Sequence, residues 1–385
     1  AFRGFGNPQA MWGLEQLIDM AAEKIGMDPL EFRSKNCRRT GDPTWIPDIP
    51  IENSELEECI RLGAERIGWN EKKYELENGP KKRVVGMAIT MHCSGNYPVL
   101  LEHSSAYIKV NEDGSANLMV SPGEIGQNIY EDILVIWGDT DTTVFDVGSH
   151  ASRTCYMAGN AVKGAAEKVK QQIIDRAAGL MEARADDLDI REGWVYVKGS
   201  PDKGMSVRDV AHDAIYNMHD NVCQISGSHS CESGQSPVFE AVFSEVEVDT
   251  ETGEVTLLKI ILAHDVGRSI NPMTVEGQIE GGIVQGIGYG LTEDYILNKG
   301  SLETDNFTTY KIPSAMDLPG IEVILVEEPV KSGPYGAKSA GESPINSIAP
   351  AIANAIYDAV KVRIKDLPMT PEKILDAIKA NQRQA

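Results

Sequence analysis

The run Ile321-Glu322-Val323-Ile324-Leu325-Val326, the loop Gly336-Ala337-Lys338-Ser339-Ala340-Gly341-Glu342-Ser343-Pro344 and an apolar-periodic segment over 345–360 read as a strand, a glycine-bearing loop and a helix. A carboxylate therefore sits near a helix entrance. Glu342 has two readings. An acid in a first helical turn complements the positive end of the helix dipole. Alternatively it is a catalytic base: Gly341 has no side chain to block a ligand, and a carboxylate in a partly desolvated pocket has its pKa raised towards neutrality. Spacing alone leaves both open.

Upstream of this loop, 238–248 and 255–263 alternate like paired strands around Glu251-Thr252-Gly253. Between them and the loop lies Gly277-Gln278-Ile279-Glu280-Gly281-Gly282-Ile283-Val284-Gln285-Gly286, with glycines frequent enough for close helix packing or ligand approach. The Ser- and Gly-rich segment 226–236 reads as a surface loop or domain junction. Further back, 84–90, 105–110 and 116–120 are short β-like runs, with Asp113-Gly114 as a hairpin turn. Two small-residue loops, Gly123-Glu124-Ile125-Gly126-Gln127-Asn128 before an apolar helix and Gly148-Ser149-His150-Ala151-Ser152-Arg153-Thr154 before a helical run over 157–181, lie where backbone N–H groups can hold phosphate. Helix capping explains either loop equally well.

At the start, Met11, Leu14, Leu17, Ile18, Ala21 and Ile25 form an apolar helical stripe, Asp28-Pro29 caps a second helix, and Ser54 caps a third with Leu56, Ile60, Leu62 and Ile67 inward. Thr370-Pro371-Glu372 opens the last helix. Strand groups and helices alternate without strict β-α-β repetition, which predicts an α+β architecture in two mixed subdomains. The expected division is a helical opening segment (1–80), a first α+β subdomain (81–235) and a second (236–385) carrying Glu342.

The 385 residues hold 36 basic and 58 acidic side chains, a net charge of −22, which argues against a nucleic-acid partner. No apolar run approaches the ~20 residues that span a bilayer and no signal segment is seen, so no membrane partner and a cytoplasmic location are expected. The six cysteines show no C-x-x-C pair, against a local zinc or iron–sulfur site and against a disulfide framework. The opening Ala1-Phe2-Arg3-Gly4-Phe5-Gly6-Asn7-Pro8-Gln9 is poor chemistry for a disordered tail, which predicts that a partner chain or an N-terminal half covers it.

Taken in order, the segments 2–9, 123–127, 149–154 with Gly159-Asn160-Ala161-Val162, 277–286 and 336–344 resemble the C-terminal half of the molybdenum-binding subunit of the xanthine dehydrogenase family, the molybdenum hydroxylases, along nearly the whole chain. The resemblance implies that Glu342 is the general base, taking a proton from the metal's hydroxyl so that its oxygen attacks an electron-poor carbon while hydride passes to a terminal sulfido or selenido ligand. It implies that Phe2 and Arg3 lie against the metal's oxo and dithiolene side, with Gly341 beside Glu342. Phe5 then stacks on a flat substrate ring. Gln127, Ser149, Ala151, Ser152 and Gln278 bind a molybdopterin cytosine dinucleotide whose dithiolene holds the molybdenum without a direct protein ligand. Ile89 falls where purine-oxidising members carry a second aromatic clamp, with Thr90 beside it as a substrate contact.

The family's first half of this subunit, its FAD domain and its [2Fe-2S] domains are expected in partner subunits, a split arrangement resembling bacterial nicotinate dehydrogenases. That arrangement and the weaker clamp point to a nicotinate-like N-heteroaromatic substrate. A xanthine or purine is the second reading, an aldehyde the third, and a non-catalytic scaffolding subunit the reading from a different class.

Overall fold

The computed structural model describes residues 1–46, 49–72, 79–95, 102–122, 133–232 and 236–383. In chain order its main elements are α1 (Asn7–Lys24), α2 (Pro29–Asn36), α3 (Leu56–Ile67), β1 (Lys81–His92), β2 (His103–Val110), β3 (Ala116–Val120), β4 (Leu134–Trp137), α4 (Gly159–Leu180), β5 (Ser226–Glu232), β6 (Val238–Asp249), β7 (Val255–Asp265), α5 (Pro272–Leu291), β8 (Gly320–Val326), α6 (Ile348–Val360) and α7 (Pro371–Gln382). They form two compact units, one of 1–94, 236–331 and 335–385, the other of 95–235 and 332–334. The boundary expected at residue 80 is corrected by strand pairing. β1 pairs along its length with β6, from Lys81 opposite Asp249 to His92 opposite Val238, and so belongs with the C-terminal sheet.

In the first unit the sheet order is β1–β6–β7–β8. β6 is antiparallel to both neighbours, as the alternation around Glu251-Thr252-Gly253 predicts, and β7 runs parallel to β8. Both sheet faces are covered. Val242, Val246, Ile260 and Leu262 pack with Ile283 and Ile287 of α5 and Ile352 and Ile356 of α6. On the opposite face Met87, Phe239, Phe243 and Ile261 pack with Leu56, Cys59, Ile60 and Ile67 of α3. Each such side chain contributes roughly 1.5–3 kcal/mol when fully buried. A Cβ on Gly282 of α5 would lie 2.6 Å from Pro344, so this helix seats the turn that follows Glu342. Ser54 does not cap α3, which starts at Leu56: its hydroxyl donates instead to the Arg38 carbonyl at 2.8 Å.

The second unit has the sheet order β4–β3–β2–β5. Ala161, Ala165, Val169 and Ile173 of α4 pack with Ala106 and Ile108 of β2. Two expectations are corrected here. The segment 226–232 is no loop but the strand β5, antiparallel to β2; its small residues are needed because a Cβ on Gly227 would lie 2.6 Å from the Ala165 carbonyl of α4. The apolar helix expected after Asn128 is, over Leu134–Trp137, the strand β4, parallel to β3; a four-residue apolar run is long enough for a strand and too short for a helix.

α1 forms where predicted and faces the other way. Leu14, Leu17 and Ile25 are 46%, 61% and 61% exposed, while Glu15, Gln16, Asp19 and Ala22 are buried. The cause is Arg33 of α2, whose buried guanidinium donates to Glu15 at 2.9 Å and Asp19 at 2.8 Å; Glu15 also accepts the Ile89 N–H of β1 at 3.0 Å. Buried charges must be paired, so the acidic side turns inward. Removing one member strands the others. Arg33→Ala is expected to cost about 3–5 kcal/mol in urea-melt stability, whereas Arg61→Ala, in an exposed pair with Glu58, stays within about 1 kcal/mol.

Candidate active site

The loop carrying Glu342 is fastened at its base. Lys338 donates from a buried ammonium to Asp265 at the end of β7 at 2.6 Å and to the Asn53 side chain at 2.9 Å, and its N–H bonds the Val266 carbonyl at 2.9 Å. Composition flagged neither Lys338 nor Asp265, because their pairing spans the fold. Ser343 to Ile345 then make a single tight turn before α6 begins at Ile348. Glu342 precedes that turn and makes no side-chain cap to it, so the dipole-complement reading does not describe its contacts.

The opening loop supplies those contacts. Arg3 Nε donates to the Gly341 carbonyl at 2.6 Å and Nη2 to the Gln278 carbonyl at 2.9 Å. Gly4 N–H donates to Glu342 Oε1 at 3.2 Å. Gly4 has φ +86°, and a Cβ there would meet Asn346 Oδ1 at 2.7 Å, so only glycine brings this N–H to the carboxylate. His92, the last residue of β1, faces Glu342 Oε2 through Nε2 at 3.4 Å; Asn7 and Asn346 approach its Nδ1 at 2.7 and 3.3 Å. Sequence reading passed over His92 because its partners lie far along the chain. Phe2 packs on Tyr289 with ring centroids 5.6 Å apart, and Phe5 projects outward, 75% exposed. Thr90 is buried, its hydroxyl without a hydrogen-bond partner among the described residues.

Burial pushes the Glu342 pKa up, but the His92 imidazole, the Gly4 N–H and the Arg3 charge outweigh it and hold the carboxyl below its ordinary value. The raised pKa anticipated from a desolvated pocket is thus corrected: the group is a carboxylate at neutral pH. Its neighbours behave differently. Glu240 lies opposite Thr90 on β1 and His264 on β7. Burial raises Glu240 to about 8, against the opposing Ser343 hydroxyl and Arg3 charge, and lowers His264 to about 3. His264 Nε2 lies 3.0 Å from Ser343 Oγ and 3.6 Å from Glu240.

The glycines of α5 divide into two faces. Gly282 is packed, whereas among the described residues a Cβ at Gly277 would meet nothing within 4 Å and one at Gly281 would meet only Arg3, at 3.8 Å. Arg3, Gln278, Gly341 and Glu342 are thus brought together beside an open, side-chain-free strip.

Ser149, Ala151 and Ser152 lie in the second unit. Ala151 and Ser152 take consecutive left-handed conformations, φ 48° and 56°, after Gly148 at 106°. Arg153 fixes this loop from beneath, fully buried, donating to Glu102 at 2.5 Å, Asp146 at 2.6 Å and the Gly148 carbonyl at 2.9 Å. Gln127 lies outside the described residues.

Residues 62–319, more than half of the chain, match a family described as Molybdopterin cofactor-binding domain, and residues 1–37 match a second domain of the same description. The chain belongs to the molybdenum hydroxylases. It is 34% identical, over 98% of its length and 53% of the relative, to the putative xanthine dehydrogenase molybdenum-binding subunit XdhA of Escherichia coli (strain K12). It is 28% identical, over 98% of its length and 51% of the relative, to the nicotine 6-hydroxylase large subunit of Paenarthrobacter nicotinovorans. The crystal structure of quinoline 2-oxidoreductase from Pseudomonas putida 86 superposes with a TM-score of 0.90 at 27% identity, over 98% of this chain and 53% of that one. The chain spans about half the length of these relatives. The α+β class expected from the sequence is that of the molybdenum-cofactor-binding subunits it matches. Among the described residues no helix is long and apolar enough to cross a membrane.

The two buried groups behind the carboxylate make stability pH-dependent in opposite senses. Glu240, raised from 4.5 to about 8, contributes stability that is complete below 4.5 and lost as pH climbs through about 8. His264, lowered from 6.5 to about 3, contributes stability present above 6.5 and lost as pH falls through about 3. Glu240→Gln removes only the alkaline loss. Its Tm relative to the parent, followed by calorimetry, is expected to rise steadily from about pH 5 to about pH 8.

Proposed function

We propose that this chain is the molybdopterin-binding part of a multi-subunit molybdenum hydroxylase that hydroxylates an N-heteroaromatic ring of the nicotinate kind with water-derived oxygen, Glu342 serving as general base. The observation that carries the reading is the carboxylate anchored by the Gly4 N–H and facing His92, with its side chain 18% exposed beside the open strip of Gly277 and Gly281. Arg3, Gln278 and Gly341 would line the pterin's side of that strip, and the backbone N–H groups around Ser149, Ala151 and Ser152 would take the phosphates of a cytosine dinucleotide. When bound, the cofactor, with a terminal sulfido or selenido ligand, supplies Lewis acidity towards water and takes up two electrons.

The protein's own part is proton handling and orientation. Glu342 is ionised before the reaction and accepts the nucleophile's proton. Arg3, its fork filled by two carbonyls, holds positive charge in place without itself changing protonation. Phe5 offers a flat face to an aromatic ring, worth about 1 kcal/mol beyond area burial, and Thr90 follows Ile89 on β1, where Ile89 itself packs against the α3-side core. The printed names of the nicotine 6-hydroxylase and quinoline 2-oxidoreductase relatives are those of enzymes for such rings. A purine is the second reading, favoured by the identity to the putative xanthine dehydrogenase subunit.

The partners are the remaining half of the molybdenum subunit, an iron–sulfur subunit and an FAD subunit, in the cytoplasm. We assign the outward residues Leu14, Leu17 and Met20 of α1, with Ile25 at its end, to that remaining half, since the relatives are about twice as long and only residues 1–37, which include α1, match the second cofactor-binding domain. Leu17→Glu should abolish co-purification of that half while leaving the melting temperature of the isolated chain unchanged; retained co-purification refutes the assignment.

Glu342→Gln in the assembled enzyme should lower kcat by at least about 100-fold with molybdenum content unchanged by metal analysis. Loss of molybdenum with normal turnover per metal would refute the base, and a folded assembly without molybdenum in the parent would favour a scaffold. Nicotinate should give a higher kcat/KM than xanthine or benzaldehyde; a preference for xanthine would select the second reading.

A further inference from the structure

We infer that His92 is a positioning residue for the Glu342 carboxylate: seated at the end of β1 with two asparagine amides on its Nδ1, it sets Nε2 3.4 Å from Oε2 and biases the orientation in which the base works. The inference rests on the proposed role of Glu342 and adds to it the element that orients it. The side chains of Asn7, at the start of α1, and Asn346, between the tight turn and α6, reach Nδ1 from different elements at 2.7 and 3.3 Å. An amide NH2 group can only donate, so Nδ1 accepts and the ring proton sits on Nε2. That proton faces Oε2 at 3.4 Å while Gly4 donates to Oε1 at 3.2 Å.

The Gly4 N–H thus donates to Oε1, while His92 Nε2 stands 3.4 Å from Oε2 as a polar contact rather than a formed hydrogen bond, close enough to bias how the carboxylate lies. The side chain is held in a reactive orientation before substrate arrives, which is where an oriented base gains over a free one. The ring itself is 3% exposed, so it works from behind the site.

Among the described residues the groups acting on Glu342 are His92 from β1, the Gly4 N–H and the Arg3 charge from the opening loop; Glu240 of β6 acts on Arg3, and His264 of β7 on His92. With Glu240 and His264 neutral near pH 7, the ionised base is favoured by His92, the Gly4 N–H donor and the Arg3 charge. Loss of His92 removes one of them, so protonation of Glu342 moves to higher pH. A ring that merely filled space would leave that titration unmoved when replaced by a side chain of similar volume.

The test uses the purified assembled enzyme with four forms: parent, His92→Leu, His92→Gln and Glu342→Gln. Infrared titration follows the carboxyl band that disappears in Glu342→Gln, and the acid limb of kcat against pH is recorded alongside. His92→Leu should move both midpoints up by about one pH unit and lower kcat by about tenfold. His92→Gln, whose amide can still donate to Oε2, should restore the parent midpoint; if His92→Leu does not fold, the Gln form compared with His92→Ala carries the same contrast. Coincident infrared midpoints in parent and in His92→Leu or His92→Ala overturn the inference. Undiminished turnover in Glu342→Gln overturns the general base instead, and the infrared midpoints still report whether His92 contacts the carboxylate.

Discussion

The guanidinium of Arg3 joins pieces of chain that lie 338 and 275 positions away, taking the carbonyls of Gly341 and Gln278 into one fork. Everything at the site depends on that clasp. It carries Gly4 to the carboxylate and sets Phe2 on Tyr289, and it holds the opening loop against the face of α5 that has no side chains. Closing so long a loop costs little more than closing a shorter one, because the entropic penalty grows only logarithmically with length. What the clasp requires is that both carbonyls be fixed beforehand. Packing of α5 and the Lys338–Asp265 pair under the loop supply that rigidity.

The electrostatics follow from the same layout. Four ionisable groups crowd one end of the sheet, and burial alone would neutralise all the acids. Glu240 goes that way because its opposing partners are weak, whereas Glu342, about a hundred positions on and less deeply placed, has the Gly4 N–H, the His92 imidazole and the Arg3 charge in its favour and stays charged. Two glutamates within one neighbourhood thus take opposite protonation states, a division set by which backbone and imidazole protons reach each of them.

Much of the architecture was legible in the sequence. The paired strands around Glu251-Thr252-Gly253, the Asp28-Pro29 cap, the Thr370 cap and the strand before the 336–344 loop follow from local patterns that need no tertiary knowledge. The outward face of α1 was not legible, because periodicity tells which residues share a side of a helix and not what waits across from it; Arg33, on the next helix, decides. His92 escaped for a similar reason, since nothing near it in the chain marks it and its partners Asn7 and Asn346 are 85 and 254 positions away. The strand at Ser226–Glu232 was hidden by its composition: residues chosen for smallness beneath a helix look like residues chosen for a turn.

The chain leaves the first sheet after β1 and returns to it in β6, and the Ser94 hydroxyl donates to the Ser236 carbonyl at 2.8 Å where the two paths meet. Departure and return are neighbours. Most of the second unit, residues 95–235, is therefore an insertion between two paired strands, with 332–334 added from later in the chain, and the β1–β6 ladder is a contact of very high sequence separation for as long as the insertion is unfolded. Once the insertion has collapsed with its ends together, the same ladder becomes almost local, and the slow search that long-range strand pairing imposes is shortened. Where the chain is interrupted thus sets the length of loop that the β1–β6 pairing has to close.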